Sequence, residues 1–174
     1  EIVDGKLFER VHPCLVNKDS YIGNVNGVMN AVITEGEPVG ESVLQGEGAG
    51  PGPTSSALMS DLLSILRGNI KFPFGIPNIK RKSIKVFNYD NYINSLYLRF
   101  EVKDKPGVLA QITNRLAIKN ISVERLIQIP NYKNKTASIV IITHKSKELD
   151  AQHCINAISN SKNILKYPTL IRLL

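Results

Sequence analysis

The chain has 174 residues, 43% apolar and 21% charged, which leaves room for one domain or two small ones around a real core. A net charge of +7 and a pI near 9.4 raise the question of nucleic acid. The basic residues are scattered apart from Lys80-Arg81-Lys82 and Lys85, without an RNA-binding aromatic motif, zinc finger or helix-turn-helix pattern, so the charge reads as solvated and no nucleic-acid partner is expected. No apolar run approaches the ~20 residues of a membrane-spanning helix, so no membrane partner is expected either.

The N-terminus, Glu1-Ile2-Val3-Asp4-Gly5, has neither the basic nor the apolar part of an export signal. It also lacks an initiator Met, which suggests a piece of a longer chain. Cys14 and Cys154 stand far apart, outside any CxxC, and fit a reducing cytoplasm. His153 adjoins Cys154, but adjacent helical positions do not face each other, so no metal site is expected. His12 has no nucleophile or carboxylate at a supporting spacing and reads as structural, and Pro13 favours a strand start or an edge.

Further along, Asn26-Gly27 carries turn chemistry and residues 28–33 read as a strand. A breaker-rich turn at Glu35-Gly36-Glu37-Pro38 leads to a third strand, Ser42 to Gln45. The glycine-rich stretch Gly46-Glu47-Gly48-Ala49-Gly50-Pro51-Gly52-Pro53-Thr54 follows. Beyond it, Leu58, Leu62, Ile65 and Leu66 define an amphipathic helix closed by Gly68-Asn69. The glycine stretch is not GxxxxGK[ST], since no Lys precedes the hydroxyl pair. Nor is it GxGxxG, because the sixth positions are Pro51 and Pro53. On the residues alone, a packing turn and a ligand contact remain equal alternatives.

Ile70 to Asn94, with Pro73, Gly75 and Pro77, reads as an ordered but irregular crossing between domains. After it, Leu96, Leu98, Phe100 and Val102 alternate with Tyr97, Arg99, Glu101 and Lys103, the pattern of a half-buried strand. Asp104-Lys105-Pro106-Gly107 stops that strand. Val108, Leu109, Ile112, Leu116 and Ile118 have helical spacing, and Lys119-Asn120 supply a left-handed cap. A second strand runs through Ile121, Val123, Leu126 and Ile127, and 129–135 reads as a polar hairpin loop. Residues 136–143 are a β-branched strand. A helix is expected over 148–161 with Leu149, His153, Ile155 and Ile158 inward, then a last strand over 164–174 interrupted by Pro168. The order is βαββαβ, a ferredoxin-like unit.

The Asp104–Gly107 turn has a chemical use. Backbone N–H groups from Lys105 to Leu109, except at Pro106, can receive a carboxylate at the helix start. Asp104 offers an acceptor to an ammonium, and Gln128 can both donate to and accept from a side-chain hydroxyl. Gly107 leaves the loop without a Cβ there.

Two resemblances gather these features. The run Val102-Lys103-Asp104-Lys105-Pro106-Gly107-Val108-Leu109-Ala110, with Asn120-Ile121-Ser122-Val123-Glu124 and Gln128, resembles an ACT domain, a small-molecule sensor fused to amino-acid biosynthetic enzymes. Arg10-Val11-His12-Pro13, residues 25–32 and the 46–54 stretch are similar to the C-terminal end of the catalytic part of homoserine dehydrogenase. Together they imply an α+β chain: the tail of an α/β catalytic domain over 1–69, a linker over 70–94 and an ACT regulatory domain over 95–174.

The resemblance further implies an NAD(P)-dependent interconversion of aspartate semialdehyde and homoserine, on the route to threonine and methionine, with threonine the leading feedback effector. Gly50 would line the nicotinamide site. The effector would meet Asp104, Lys105, Pro106, Gly107, Val108, Leu109 and Gln128, and the ACT half would form a homo-oligomer, a dimer or higher. The chain departs from the family in having no Rossmann strand–GxGxxG–helix unit. The family's catalytic Lys and acidic residues precede the segment present, so no catalytic residue is assigned and the chain alone is expected to be inactive. Two other classes compete: a non-enzymatic amino-acid sensor signalling through oligomerisation, and a basic RNA-binding sheet. The second would need stacking aromatics, and only 6% of residues are aromatic.

Overall fold

The computed structural model describes residues 1–69 and 75–174; Pro73 of the expected crossing lies outside them. The chain forms two compact units, 1–15 with 84–174 and 16–83.

The first unit begins with two short strands, β1 (Ile2–Val3) and β2 (Lys6–Leu7), paired antiparallel, and continues into β3 (Cys14–Leu15). In the second unit, β4 (Met29–Gly36) and β5 (Gly40–Glu47) form an antiparallel hairpin with Val32 opposite Leu44. Helix α1 (Pro51–Leu66) follows. It ends as the residue types dictate: Gly68 takes φ +74°, its N–H bonds the Ile65 carbonyl, and the Asn69 N–H bonds the Ser64 carbonyl, which together satisfy the last carbonyls of the helix. The expected amphipathic helix is present, but its apolar face is not covered. Leu58 and Leu66 are 65% and 73% exposed, and no described residue from 16 to 83 is buried.

The larger part of the first unit is built from β6 (Ile93–Asn94), β7 (Leu96–Lys103), α2 (Val108–Ile118), β8 (Val123–Asn131), β9 (Thr136–Thr143), β10 (Ser146–Lys147), α3 (Glu148–Ser159) and β11 (Thr169–Leu173). The main sheet has the order β3-β11-β7-β9-β8. Its last four strands are antiparallel neighbours, the arrangement of a ferredoxin-like unit, and β3 is added parallel on the β11 edge. Pro13 sits immediately before β3, at that edge.

Alternation along β7 decides where the core lies. Leu96, Leu98, Phe100 and Val102 are fully buried and meet Val108, Ile112 and Leu116 of α2 and Ala151, Cys154, Ile155 and Ile158 of α3. Each buried Val, Leu, Ile or Phe among them contributes roughly 1.5–3 kcal/mol by leaving water. Asn120 takes φ +55°, the left-handed cap that its residue type allows.

Three expectations need correction. The last strand does not start at 164 and run through Pro168; it begins only after that proline, at Thr169, and ends at Leu173. Residues 129–131 are not loop: β8 continues to Asn131, with Pro130 opposite Ala137, and only 132–135 turn. β8 is an edge strand, where Pro's missing donor can face away from the ladder. In α3 the inward positions are 151, 154, 155 and 158, so His153 points out, Leu149 is exposed, and Cys154 takes the place expected for His153. A buried thiol packs as a small apolar group; its Sγ donates to the Arg115 carbonyl at 3.2 Å, and burial raises its pKa.

The stretch before β7 is irregular but packed onto this unit. Phe87 is buried, its N–H bonds the Leu7 carbonyl, and Phe8 stacks on Tyr92 at 4.1 Å.

Candidate functional site

At the end of β7 the chain turns through Asp104-Lys105-Pro106-Gly107 into α2. Gly107 caps the helix at φ +85°, a left-handed conformation that costs an L-residue roughly 1–2 kcal/mol. A Cβ there would meet no atom within 4 Å. The residue is thus demanded by backbone conformation.

The turn, the start of α2 and one residue of β8 surround a concavity of about 380 Å³. All of Asp104, Lys105, Pro106, Gly107, Val108, Leu109 and Gln128 line it. Gln128 comes from the neighbouring part of the sheet, and its Nε2 donates to Asp104 Oδ1 at 3.4 Å. The donors are not equivalent. The Val108 N–H is spent inside the turn on the Lys105 carbonyl at 3.4 Å, and the Val108 side chain belongs to the core. Among the described residues, no backbone carbonyl takes the Lys105, Gly107 or Leu109 amide. The site therefore offers amides at a helix start beside one carboxylate and one carboxamide. Such a set suits a small zwitterion.

The 46–54 stretch is built differently. Gly50 caps α1 at φ +116°, and a Cβ on it would lie 3.6 Å from Pro53 Cδ, an ordinary contact. The Gly50 carbonyl accepts from the Thr54 hydroxyl at 2.7 Å and from the Thr54 N–H at 3.3 Å. Pro51 and Pro53 have no N–H, so the first turn has few donors for a phosphate. A group held here would meet a bare backbone wall. Gly48, which sequence reasoning did not separate from its neighbours, is the tightest position: a Cβ would lie 1.5 Å from Asn30 Nδ2.

Sequence reasoning also missed a charge cluster. Glu148, the first residue of α3, accepts two hydrogen bonds from Arg10, at 2.7 and 2.5 Å, and two from Arg172, one of them from Nε at 2.9 Å. The three side chains are only 13–18% exposed. Burial alone would raise the Glu148 pKa; the hydrogen bonds from Arg172 and then Arg10 outweigh it and hold the carboxyl at about 2, down from 4.5. No signal in the sequence links positions 138 and 24 residues apart.

His12 Nδ1 contacts the carbonyl of its neighbour Pro13 at 2.9 Å and stands in no catalytic array. Among the described residues no group of His, Cys, Asp and Glu could hold a metal, and no helix is long and apolar enough to cross a membrane.

The homoserine dehydrogenase family model matches residues 4–63 and the ACT domain model matches 96–160. Residues 4–63 are thus similar to a homoserine dehydrogenase segment and residues 96–160 to an ACT domain. Homoserine dehydrogenase of Neisseria gonorrhoeae is 38% identical over 97% of this chain and 40% of its own length, and that of Synechocystis is 33% identical over 95% and 39%. The solved homoserine dehydrogenase of Thiobacillus denitrificans superposes with a TM-score of 0.83 at 29% identity, over 99% of this chain and 40% of its own. The chain spans about 40% of the length of the curated relatives it matches.

A homoserine dehydrogenase implies a nicotinamide cofactor, and the described residues include no strand–GxGxxG–helix unit that would hold a dinucleotide. The ACT domain implies an amino-acid effector and oligomerisation.

Proposed function

We propose that the chain is the cofactor-wall and regulatory part of a homoserine dehydrogenase that interconverts aspartate semialdehyde and homoserine with NAD or NADP in the cytoplasm. Its divisions are the catalytic segment 1–69, the linker 70–94 and the regulatory domain 95–174. Its role in the longer enzyme is to receive threonine at the Asp104–Leu109 turn and lower the rate of the step that leads to threonine and methionine. Gly50 presents bare backbone to the nicotinamide, and the chain by itself turns over nothing.

The convergence of the turn and Gln128 on one concavity carries this reading. The ligand carboxylate meets the Lys105, Gly107 and Leu109 amides, its ammonium meets Asp104, and Gln128 meets the hydroxyl. Pairing both charges matters because an unpaired buried charge is costly. Edge strand β8 exposes Leu126, Ile127 and Ile129, and its free ladder side is where a second copy would join sheet to sheet.

Calorimetry with L-threonine tests the proposal. The 174-residue chain should bind at micromolar to millimolar concentration, and Asp104→Ala combined with Gly107→Val should abolish binding. Failure of threonine, isoleucine, lysine and methionine all to bind at millimolar concentration, with a dimer present in solution, would sink the sensor reading.

A further inference from the structure

The first unit has a second cavity, of about 450 Å³, at the other end of the same sheet. Asn94 lines it just before β7 begins and Lys145 just after β9 ends, whereas the Asp104 turn lies beyond the last residue of β7. The length of β7 separates the two sites by roughly 25 Å.

Three observations describe what this cavity lacks. Asn94 is 9% exposed, and its Oδ1 is buried without a hydrogen-bond partner. Directly across the β6–β10 pair, outside the lining of the cavity, the Ser146 Oγ is also unpaired and is a hydroxyl that can itself donate. A buried acceptor left unmet is costly. Lys145 has no ion pair or hydrogen bond among the described residues, and Arg172 gives Nε and one Nη to Glu148, which leaves its other Nη free. Glu124 supplies the one acidic side chain of the lining. The lining also includes an apolar wall, Phe8 and Tyr92, stacked on each other at 4.1 Å.

We infer that this cavity is a second ligand site, separate from the Asp104 turn, for an α-amino acid with a large apolar side chain. The carboxylate meets Lys145 and the free Arg172 Nη. The ammonium supplies the donor that Asn94 Oδ1 lacks and is balanced by Glu124. The side chain lies on the Phe8–Tyr92 wall. The volume falls within the range of small-molecule sites, ~300–1,000 Å³, and leaves room for a side chain bulkier than threonine's. Phe8 belongs to the homoserine dehydrogenase segment and Asn94, Lys145 and Arg172 to the stretch that carries the ACT domain, so a ligand here touches both parts.

The test is a nitrogen-15 NMR titration of the 174-residue chain with L-phenylalanine and L-leucine. Phenethylamine and 3-phenylpropionate, which lack the carboxylate and the ammonium respectively, serve as comparators. The expected result is saturable shifts at Phe8, Asn94, Lys145 and Arg172 with the amino acids only. Lys145→Glu, an exposed change whose folding the same spectrum verifies, should weaken binding at least about tenfold. Asn94→Leu should abolish it, and Gly107→Val should leave it intact. Absence of shifts at millimolar ligand overturns the inference, as does equal response to 3-phenylpropionate or unchanged affinity in Lys145→Glu. Shifts confined to residues 104–109 and 128 overturn it too, while supporting the effector site at the turn. A water held by Asn94 would give that silent spectrum.

Discussion

Glu148→Gln removes the charge that two arginines share and leaves both guanidinium groups facing a neutral amide. Breaking a fully buried pair costs about 3–5 kcal/mol. The folded pKa of about 2 against 4.5 corresponds to roughly 3 kcal/mol at about 1.36 per unit. The rim of the cluster still meets water, so we discount this to about 2 kcal/mol. The direction with pH follows from the same shift. The carboxyl is more acidic folded than unfolded, so between pH 4.5 and about 2 the unfolded chain binds more protons. The contribution is complete above 4.5, declines as pH falls through that window and is gone below about 2. Urea unfolding followed by circular dichroism at pH 7, 4.5 and 3 should show Glu148→Gln about 2 kcal/mol less stable at pH 7, with a shallower loss towards pH 3. A variant within about 0.5 kcal/mol of the parent at pH 7, with the same slope, would refute the reasoning, because it would put the cluster within the ~0–1 kcal/mol of an exposed pair.

Gly107→Ala should destabilise by roughly 1–2 kcal/mol through its left-handed φ alone, since no atom lies near enough to clash; an unchanged urea midpoint would show that the turn relaxes freely. Phe100→Ala should cost about 3–5 kcal/mol, while Leu62→Ser in α1 should move the unfolding free energy by less than about 0.5 and improve solubility, measured by denaturation and by light scattering. Ile127→Lys on the exposed β8 edge should shift sedimentation towards monomer without lowering monomer stability; an unaltered dimer would place the interface elsewhere.

The ferredoxin-like half was legible because its signals are local and agree with one another. The period of two in β7, the Pro-Gly stop, the helical spacing of 108, 112 and 116 and the left-handed Asn120 each fix one neighbouring element. The turn site was legible for the same reason, since six of its seven residues are consecutive. Missed features depend on partners distant in sequence. Residues 129–131 read as part of a polar loop until β8 proved to be an edge strand that accommodates Pro130. His153 and Cys154 differ by one helical step, and only packing against α2 selects the thiol. The α1 spacing correctly gave a helix, but periodicity states which face is apolar and not what covers it. Arg10, Glu148 and Arg172 carry no mutual spacing at all.

The division of buried surface bears on how the two halves communicate. Every buried apolar residue of the described chain lies between 87 and 168, so the ACT half stands on its own core, whereas nothing described in 16–83 is buried. The family match starts at residue 4, yet residues 1–15 pack with the ACT half. What holds them there is specific: β3 beside β11, Phe8 against Phe87 and Tyr92, and Arg10 on Glu148. Glu148 opens α3 and Arg172 lies in β11, so the cluster ties Arg10 to a helix and a strand of the regulatory core at once. A ligand that moved α3 against β11 would change the geometry of both guanidinium pairs, and coupling between sites requires a contact of this kind that differs between two states.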